Sequence, residues 1–321
     1  MKYFIKNFFL FGLVIILIFT SINFFQNSFN TDPIHYRKQY ESIVKKSNDY
    51  SGIIIGTSHA THSLRPSILD ASGIKYYNYS LNGSNPEYYY KWYKNFIHNN
   101  EIKPKHCLYV VDFFMFDEEW LIRKFEQDVE YFPFKIFLNE LLNTRDFNKI
   151  DLIVNRFPFI KYKNKLINSL KLQKGSCTFK SENYDRGYIS FTLPFDSLKF
   201  IPKLNYKIYP KQIHYFNLLI NLMLKDNIKI IFVMAPEYGI KVEEYYQMKS
   251  LKFIDYISKK LNLDFLNFNT QYNSFINKNI IFFSDWGHMN HTGAKIFSIS
   301  IARRIQLLNK KRKVNQSFEK E

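Results

Sequence analysis

The feature that most constrains this chain is a set of short, predominantly apolar runs spaced along an otherwise polar sequence. Gly52-Ile-Ile-Ile-Gly56, Cys107-Leu-Tyr-Val-Val111 and Ile228-Lys-Ile-Ile-Phe-Val-Met234 are the clearest. Runs of this length, rich in β-branched residues and bounded by glycine or charge, suit strands buried on both faces, as in a parallel sheet. Ile74–Ser80 and Leu263–Phe268 fit two further strands. Helical patterns lie between them: Pro86–His98, opened by Asn85 and Pro86, then segments around 210–225 and 242–260. A last helix is expected after His291, capped by Thr292 or Asn290 and ending near Leu308. Alternating strands and helices predict an α/β fold with a doubly wound, mostly parallel sheet in three layers. Residues 113–206 break the rhythm and read as a large insertion after the third strand, with some helices and a hairpin. No internal repeat is present.

The N-terminus is of another kind. Lys2 and Lys6 precede an uncharged apolar stretch from Asn7 to Phe25, and charge returns only at Asp32. As a helix rising about 1.5 Å per residue, that stretch nearly crosses a hydrocarbon core of about 30 Å. A cleavable signal would end in small residues, but Phe24-Phe25 stand there. Residues 1–30 are therefore expected to be an uncleaved transmembrane anchor, with the N-terminus in the cytoplasm and the body outside. Residues 31–50 read as a linker and short helix, 51–309 as the α/β domain, and 310–321 as a basic, disordered tail.

The net charge of +17 is dispersed, apart from Lys310-Lys-Arg-Lys313. It suits an anionic membrane or polymer. No zinc-finger spacing or aromatic RNA-binding motif accompanies it, so nucleic acid is not expected. With 33 Phe and 24 Tyr in the chain, single exposed aromatics are weak signals. Trp120 and the Tyr131–Phe134 cluster read as a satellite core before a sugar-stacking platform. Two cysteines, Cys107 and Cys177, leave both a single bridge and two free thiols open.

Two segments carry chemistry. In Ile55-Gly56-Thr57-Ser58-His59, a serine follows a buried strand at a glycine-containing turn. That places Ser58 at the carboxyl edge of the sheet, where open α/β sheets hold their sites. The same pattern also suits a simple helix cap. Near the other end, Asp285-Trp-Gly-His288 offers a base with a carboxylate to fix its tautomer, which a serine nucleophile requires. His291 on the same loop is an alternative base.

Together these segments resemble the SGNH/GDSL hydrolase superfamily. Gly56-Thr57-Ser58 matches its first block, Asp285-x-x-His288 its last, and Asn78-Tyr-Ser-Leu-Asn-Gly83 looks like the glycine block between them. The resemblance implies Ser58 as nucleophile, His288 as base, Asp285 as its orienter, and Gly83 as a second oxyanion N–H beside that of Ser58. The superfamily's Gly-x-Asn-Asp block should follow the third strand, but Val111-Asp112-Phe-Phe stands there without the asparagine. Losing one such donor costs about 3 kcal/mol of transition-state stabilisation. Asn82 and Asn85 are candidates to replace it.

Asp112-Phe-Phe, the N-terminal apolar segment and Met234-Ala-Pro236 are similar to a membrane-anchored branch that acts in polysaccharide O-acetylation and teichoic-acid D-alanylation. That resemblance implies an extracytoplasmic esterase or O-acyltransferase acting on an acylated cell-surface polysaccharide or similar anionic polymer, with a membrane-embedded acyltransferase as partner. A catalytically inert, polymer-binding or scaffolding module is the alternative.

No cofactor is expected. His59-x-x-His62 and His288-x-x-His291 lack a carboxylate or cysteine in the sequence pattern to complete a zinc-like set, so no metal is expected either. Asp112 reads as a structural acceptor or a substrate contact, and Arg65 and Arg186 as surface arginines able to meet an anionic polymer.

Overall fold

A computed structural model describes residues 10–12, 14, 50–99, 103–132, 134–143, 147–156, 184–190, 206–239, 248–270 and 275–318. The chain divides into two compact units. One comprises Ser42–Phe125 and Phe179–Glu321, the other Met1–Glu41 and Glu126–Thr178.

The larger unit holds a five-stranded parallel sheet. Its strands are β1 (Gly52–Ile55), β2 (Tyr76–Asn78), β3 (His106–Val110), β6 (Lys229–Met234) and β7 (Asp264–Asn267), in the order β2-β1-β3-β6-β7. A small hairpin, β4 (Tyr184–Asp185) with β5 (Tyr188–Ile189), belongs to the same unit. With the hairpin set aside, the order is that of a doubly wound sheet whose switch point lies between β1 and β3. Crevices at a switch point open beyond the carboxyl ends of the strands. The helices of this unit are α1 (Ser58–Ser63), α2 (Pro66–Leu69), α3 (Pro86–Tyr93), α6 (Pro210–Lys225), α7 (Lys249–Lys260) and α8 (His291–Phe318).

Alternation along each strand sends successive side chains to opposite faces. Ile54, Leu108, Val110, Ile231, Val233 and Leu266 share a core with Ala60 and Leu64 of α1 and with Phe297, Ile301 and Ile305 of α8. On the other face, the rings of Tyr109 and Phe232 pack on Phe216 of α6 at 5.8 and 5.7 Å, and Tyr109 meets Tyr89 of α3 at 6.3 Å. Both faces are covered. This is why β1, β3 and β6 read as continuous apolar runs and not as alternating ones.

In the smaller unit, α4 (Phe134–Asn143) and α5 (Phe147–Arg156) are described. Arg156 donates to the Phe132 carbonyl at 2.6 Å and lies over the Phe134 and Phe137 rings.

Several sequence expectations change. The last helix passes Leu308 and runs to Phe318, through the basic segment expected to be disordered. Lysine and arginine are good helix formers, and an established helix propagates at little cost. Asn290 caps it, accepting from the N–H groups of Thr292 and Gly293 at 3.0 Å each. α7 begins at Lys249, and the residues expected to open it, from about 242 to 247, lie outside the described residues. The expected anchor and linker also fall almost wholly outside them. No helix among the described residues is long and apolar enough to cross a membrane. Cys107 is a buried free thiol, and Cys177 is outside the described residues.

Candidate active site

Gly56 follows β1 at φ +150, where a Cβ would stand 2.8 Å from the Val110 carbonyl oxygen, so the turn after β1 needs glycine. The Gly56 carbonyl accepts from the Leu81 N–H at 3.1 Å and the Tyr89 hydroxyl at 2.5 Å. Two loops at the carboxyl edge are thereby tied to α3. Thr57 is the N-cap of α1, with its hydroxyl accepting from the His59 N–H at 3.3 Å. The capping role falls to Thr57, which leaves the hydroxyl of Ser58 for other work. Ser58 is the first residue of α1, so its backbone N–H has no acceptor inside the helix.

The Ser58 hydroxyl lies 2.8 Å from Nε2 of His288. Nδ1 of His288 lies 2.9 and 2.8 Å from the two carboxylate oxygens of Asp285. Oδ1 of Asp285 also accepts the N–H groups of Gly287 at 2.9 Å and His288 at 2.8 Å. Burial acts to raise this carboxyl, but the His288 hydrogen bond and charge, with those two N–H groups, outweigh it and hold Asp285 below the ordinary carboxylate value. The loop is closed by the Ser284 N–H on the His288 carbonyl at 2.8 Å and by a bridge from Phe283 to Met289. Residues 230 apart in sequence thus form a Ser–His–Asp relay, half-buried at the carboxyl edge. Geometrically it can move a proton from the hydroxyl to the imidazole while the carboxylate holds the tautomer.

His291 does not reach this relay as a base. Its Nε2 accepts from the Arg65 guanidinium at 2.9 Å, and partial burial with the charges of Arg65 and Lys295 lowers its proton affinity. Arg65 also lies over the Tyr188 ring, and Arg186 pairs with Asp70 at 2.7 Å. Both arginines hold local structure, so neither is a bare anion contact.

Gly83 sits in the turn after β2 at φ +73, a conformation that favours glycine, and Asn82 beside it is exposed. Asn85 is not a candidate oxyanion donor. Its Oδ1 caps α3 by accepting from the Tyr88 N–H at 3.0 Å, and its Nδ2 donates to the Leu121 carbonyl at 3.0 Å. Asn85→Ala should therefore cost about 2 kcal/mol, from a lost cap and an orphaned buried acceptor. A urea midpoint measures that loss, and the reactivity of Ser58 per folded molecule should not change. Asn78 is also structural: it donates to the carbonyls of Ala60 and Leu64 at 2.9 and 3.2 Å, fixing the end of α1.

Behind the relay is a constellation that local sequence reading missed. Asp112, just past β3, accepts from the Thr57 hydroxyl at 2.6 Å and pairs with Nδ1 of His59 at 2.8 Å. Glu237, past β6, lies 3.6 Å from the same nitrogen. All three residues are 1% exposed. Two carboxylates therefore meet His59, contrary to the sequence expectation that none would. Their ligand-type atoms lie within 4.8 Å of one another, a spacing compatible with a cation. The 2.8 Å His59–Asp112 separation is also that of a hydrogen bond, in which the imidazole N–H donates to the carboxylate. Burial lowers the basicity of His59, but Asp112, Glu237 and Asp285 outweigh it and raise its pKa to about 9.

His62 also packs edge-on against His288, with ring centroids 5.6 Å apart. Its Nδ1–H donates to the Ile189 carbonyl of β5 at 2.8 Å, so the hairpin braces this wall. Burial and the neighbouring His288 hold its pKa at about 4, and it is neutral near pH 7. Asp112 is the structural acceptor that the sequence suggests, and His59 and His62 stand in a pair visible there; Glu237 has no sequence signal beyond its position just after β6.

No protein-family model matches the chain, and no curated protein matches it. The chain is similar to a solved structure from Desulfitobacterium hafniense DCB-2, described as a lipolytic protein of the G-D-S-L family. The two share 11% identity over 79% of this chain and 98% of that one, at a TM-score of 0.41.

Proposed function

We propose that this protein is a serine esterase or O-acyltransferase of the SGNH type. The observation that carries the reading is the Ser58–His288–Asp285 relay, with distances of 2.8 to 2.9 Å, at the carboxyl edge of a parallel sheet. His288 takes the proton of Ser58 as Oγ bonds to the ester carbonyl carbon. The carbonyl oxygen becomes an oxyanion, held by the backbone N–H groups of Ser58 and Gly83. Collapse expels the alcohol, which takes the proton from His288. Water or an acceptor hydroxyl then gives its proton to His288 as it attacks the acyl carbon, and His288 passes that proton to Oγ as the acyl–Ser58 bond breaks. Hydrolysis and transfer use the same residues and differ only in which hydroxyl reaches the acyl-enzyme.

The substrate class is an acyl ester of an anionic cell-surface polymer, a reading supported by the net charge of +17 and by the resemblance of Asp112-Phe-Phe and Met234-Ala-Pro236 to envelope acyl-transfer proteins. Residues 7–25 hold the domain at the cytoplasmic membrane with the site outside, alongside a membrane-embedded acyltransferase. A second reading, an inert module that binds polymer, is favoured by one observation. Where the superfamily has an oxyanion asparagine, this chain has the carboxylate of Asp112, already committed to Thr57 and His59.

One preparation tests both the activity and its placement. Washed membranes should hydrolyse a chromogenic acetyl ester, and protease added outside the cytoplasmic membrane should abolish that activity. A folded domain inert toward acetyl esters of several sizes would shift the reading to the binding module, and activity protected from protease would reverse the topology.

A further inference from the structure

We propose that His59 is a positioning residue for this reaction: paired with Asp112 and Glu237, it forms a fixed buried cation beside His288, seating that ring and opposing a second positive charge on it. The proposal rests on the esterase reading for its consequence but not for its geometry. The His59 ring stands edge-on to His288, with centroids 5.2 Å apart and planes at 82°. A Cβ on Gly287, the residue before His288, would lie 2.6 Å from Nε2 of His59. The loop carrying the base is thus laid directly on the His59 ring, and only glycine permits the approach.

The groups around the pair come from every neighbouring element. Asp112 follows β3, Glu237 follows β6, Asp285 and His288 precede α8, and His62 lies one turn along α1. Phe114 and Trp286 close over His59, with ring centroids at 5.3 and 5.9 Å. Asp112 and Glu237 keep His59 protonated through the range in which a free histidine titrates, while His62 is neutral there. Of the two histidines packed on His288, His59 is therefore the cation. Its charge repels a second positive charge on the adjoining ring, 5.2 Å away, which must accept the Ser58 proton. The carboxylate of Asp285 pulls the other way.

Charges about 5 Å apart at an effective dielectric of 20 to 40 displace a titration by about one to two pH units. In His59→Gln, the acid limb of Ser58 acylation should move to higher pH by about that amount. Glu237→Gln removes a nearby anion instead and should move the limb to lower pH, by less. A purely structural role predicts losses at every pH and no such opposed pair. The readouts are the pH dependence of Ser58 labelling by a fluorophosphonate and the imidazole titration of His288 followed by NMR, both on the full-length protein. Limbs unmoved, or moved in the same direction, would overturn the proposal. Should His59→Gln fail to fold, the wild-type imidazole titrations decide alone: a His59 ring that stays protonated while His288 titrates supports the proposal, and a His59 ring that is neutral there overturns it. A wild type that never labels sinks the esterase reading, and the NMR titrations then judge the charge coupling separately.

Discussion

A fluorophosphonate probe should form a single adduct, on Ser58, and Ser58→Ala should lose at least about 10^4-fold in ester hydrolysis. The probe's phosphoryl oxygen takes the place of an oxyanion, so labelling needs the base as well as the nucleophile. The geometry makes the site selective. Thr57 has taken the helix cap, Ser63 is fully buried, and Ser67 donates to Asp185 at 2.6 Å. Of the serines on α1 and α2, Ser58 has the 2.8 Å contact to an imidazole. His288→Ala should nearly abolish labelling while leaving thermal stability within about 1–2 kcal/mol, since a half-buried loop side chain carries little packing. Labelling should fall as pH is lowered, because a protonated imidazole cannot accept the serine proton. Peptide mapping of the adduct decides the matter. An adduct on another serine, or labelling that survives His288→Ala, would discard the relay.

The central strands β1, β3 and β6 were legible because they are buried on both faces, which turns each into a largely apolar run that local reading detects. Ser58 was legible for a related reason: a serine just past such a run has few places to go other than the carboxyl edge. Asp285 and His288 are three residues apart, so their pairing is a local fact. The support behind them was not readable, because Asp112 and His59 are 53 residues apart and Glu237 arrives from β6. Only the strand order brings them together, and no short-range pattern encodes that order. Asn85 shows the opposite failure. Its position before Pro86 was read correctly as a helix start, and that same role uses up the side chain that the oxyanion assignment needed. The basic segment after Leu308 has a composition typical of disordered tails, yet it continues a helix already nucleated on the sheet by Phe297, Ile301 and Ile305.

Asp285→Asn should fold and yet lose roughly 10^4-fold in activity, through the tautomer of His288 and not through lost contacts. Oδ1 of Asp285 accepts two backbone N–H groups as well as facing Nδ1 of His288. An asparagine oxygen keeps the two backbone bonds, which turns its amide NH2 toward Nδ1. The imidazole must then accept there and carry its proton on Nε2, where it can only donate to Ser58. His291→Ala is the control, since that ring is exposed and held by Arg65, and its loss should be several-fold at most. A second signature separates charge from shape. Because His288 and the two N–H groups depress Asp285 in the folded state, its contribution to stability is fully present above the unfolded value of about 3.9 and is lost as pH falls through the lower folded value. The asparagine variant lacks that contribution at every pH, so its deficit against the wild type should shrink on acidification below about pH 4. Unfolding midpoints across that window, set beside acetyl-ester rates near neutrality, provide both readouts. An asparagine variant that keeps its rate, or a His291 variant that loses more than the asparagine one, would move the base away from His288.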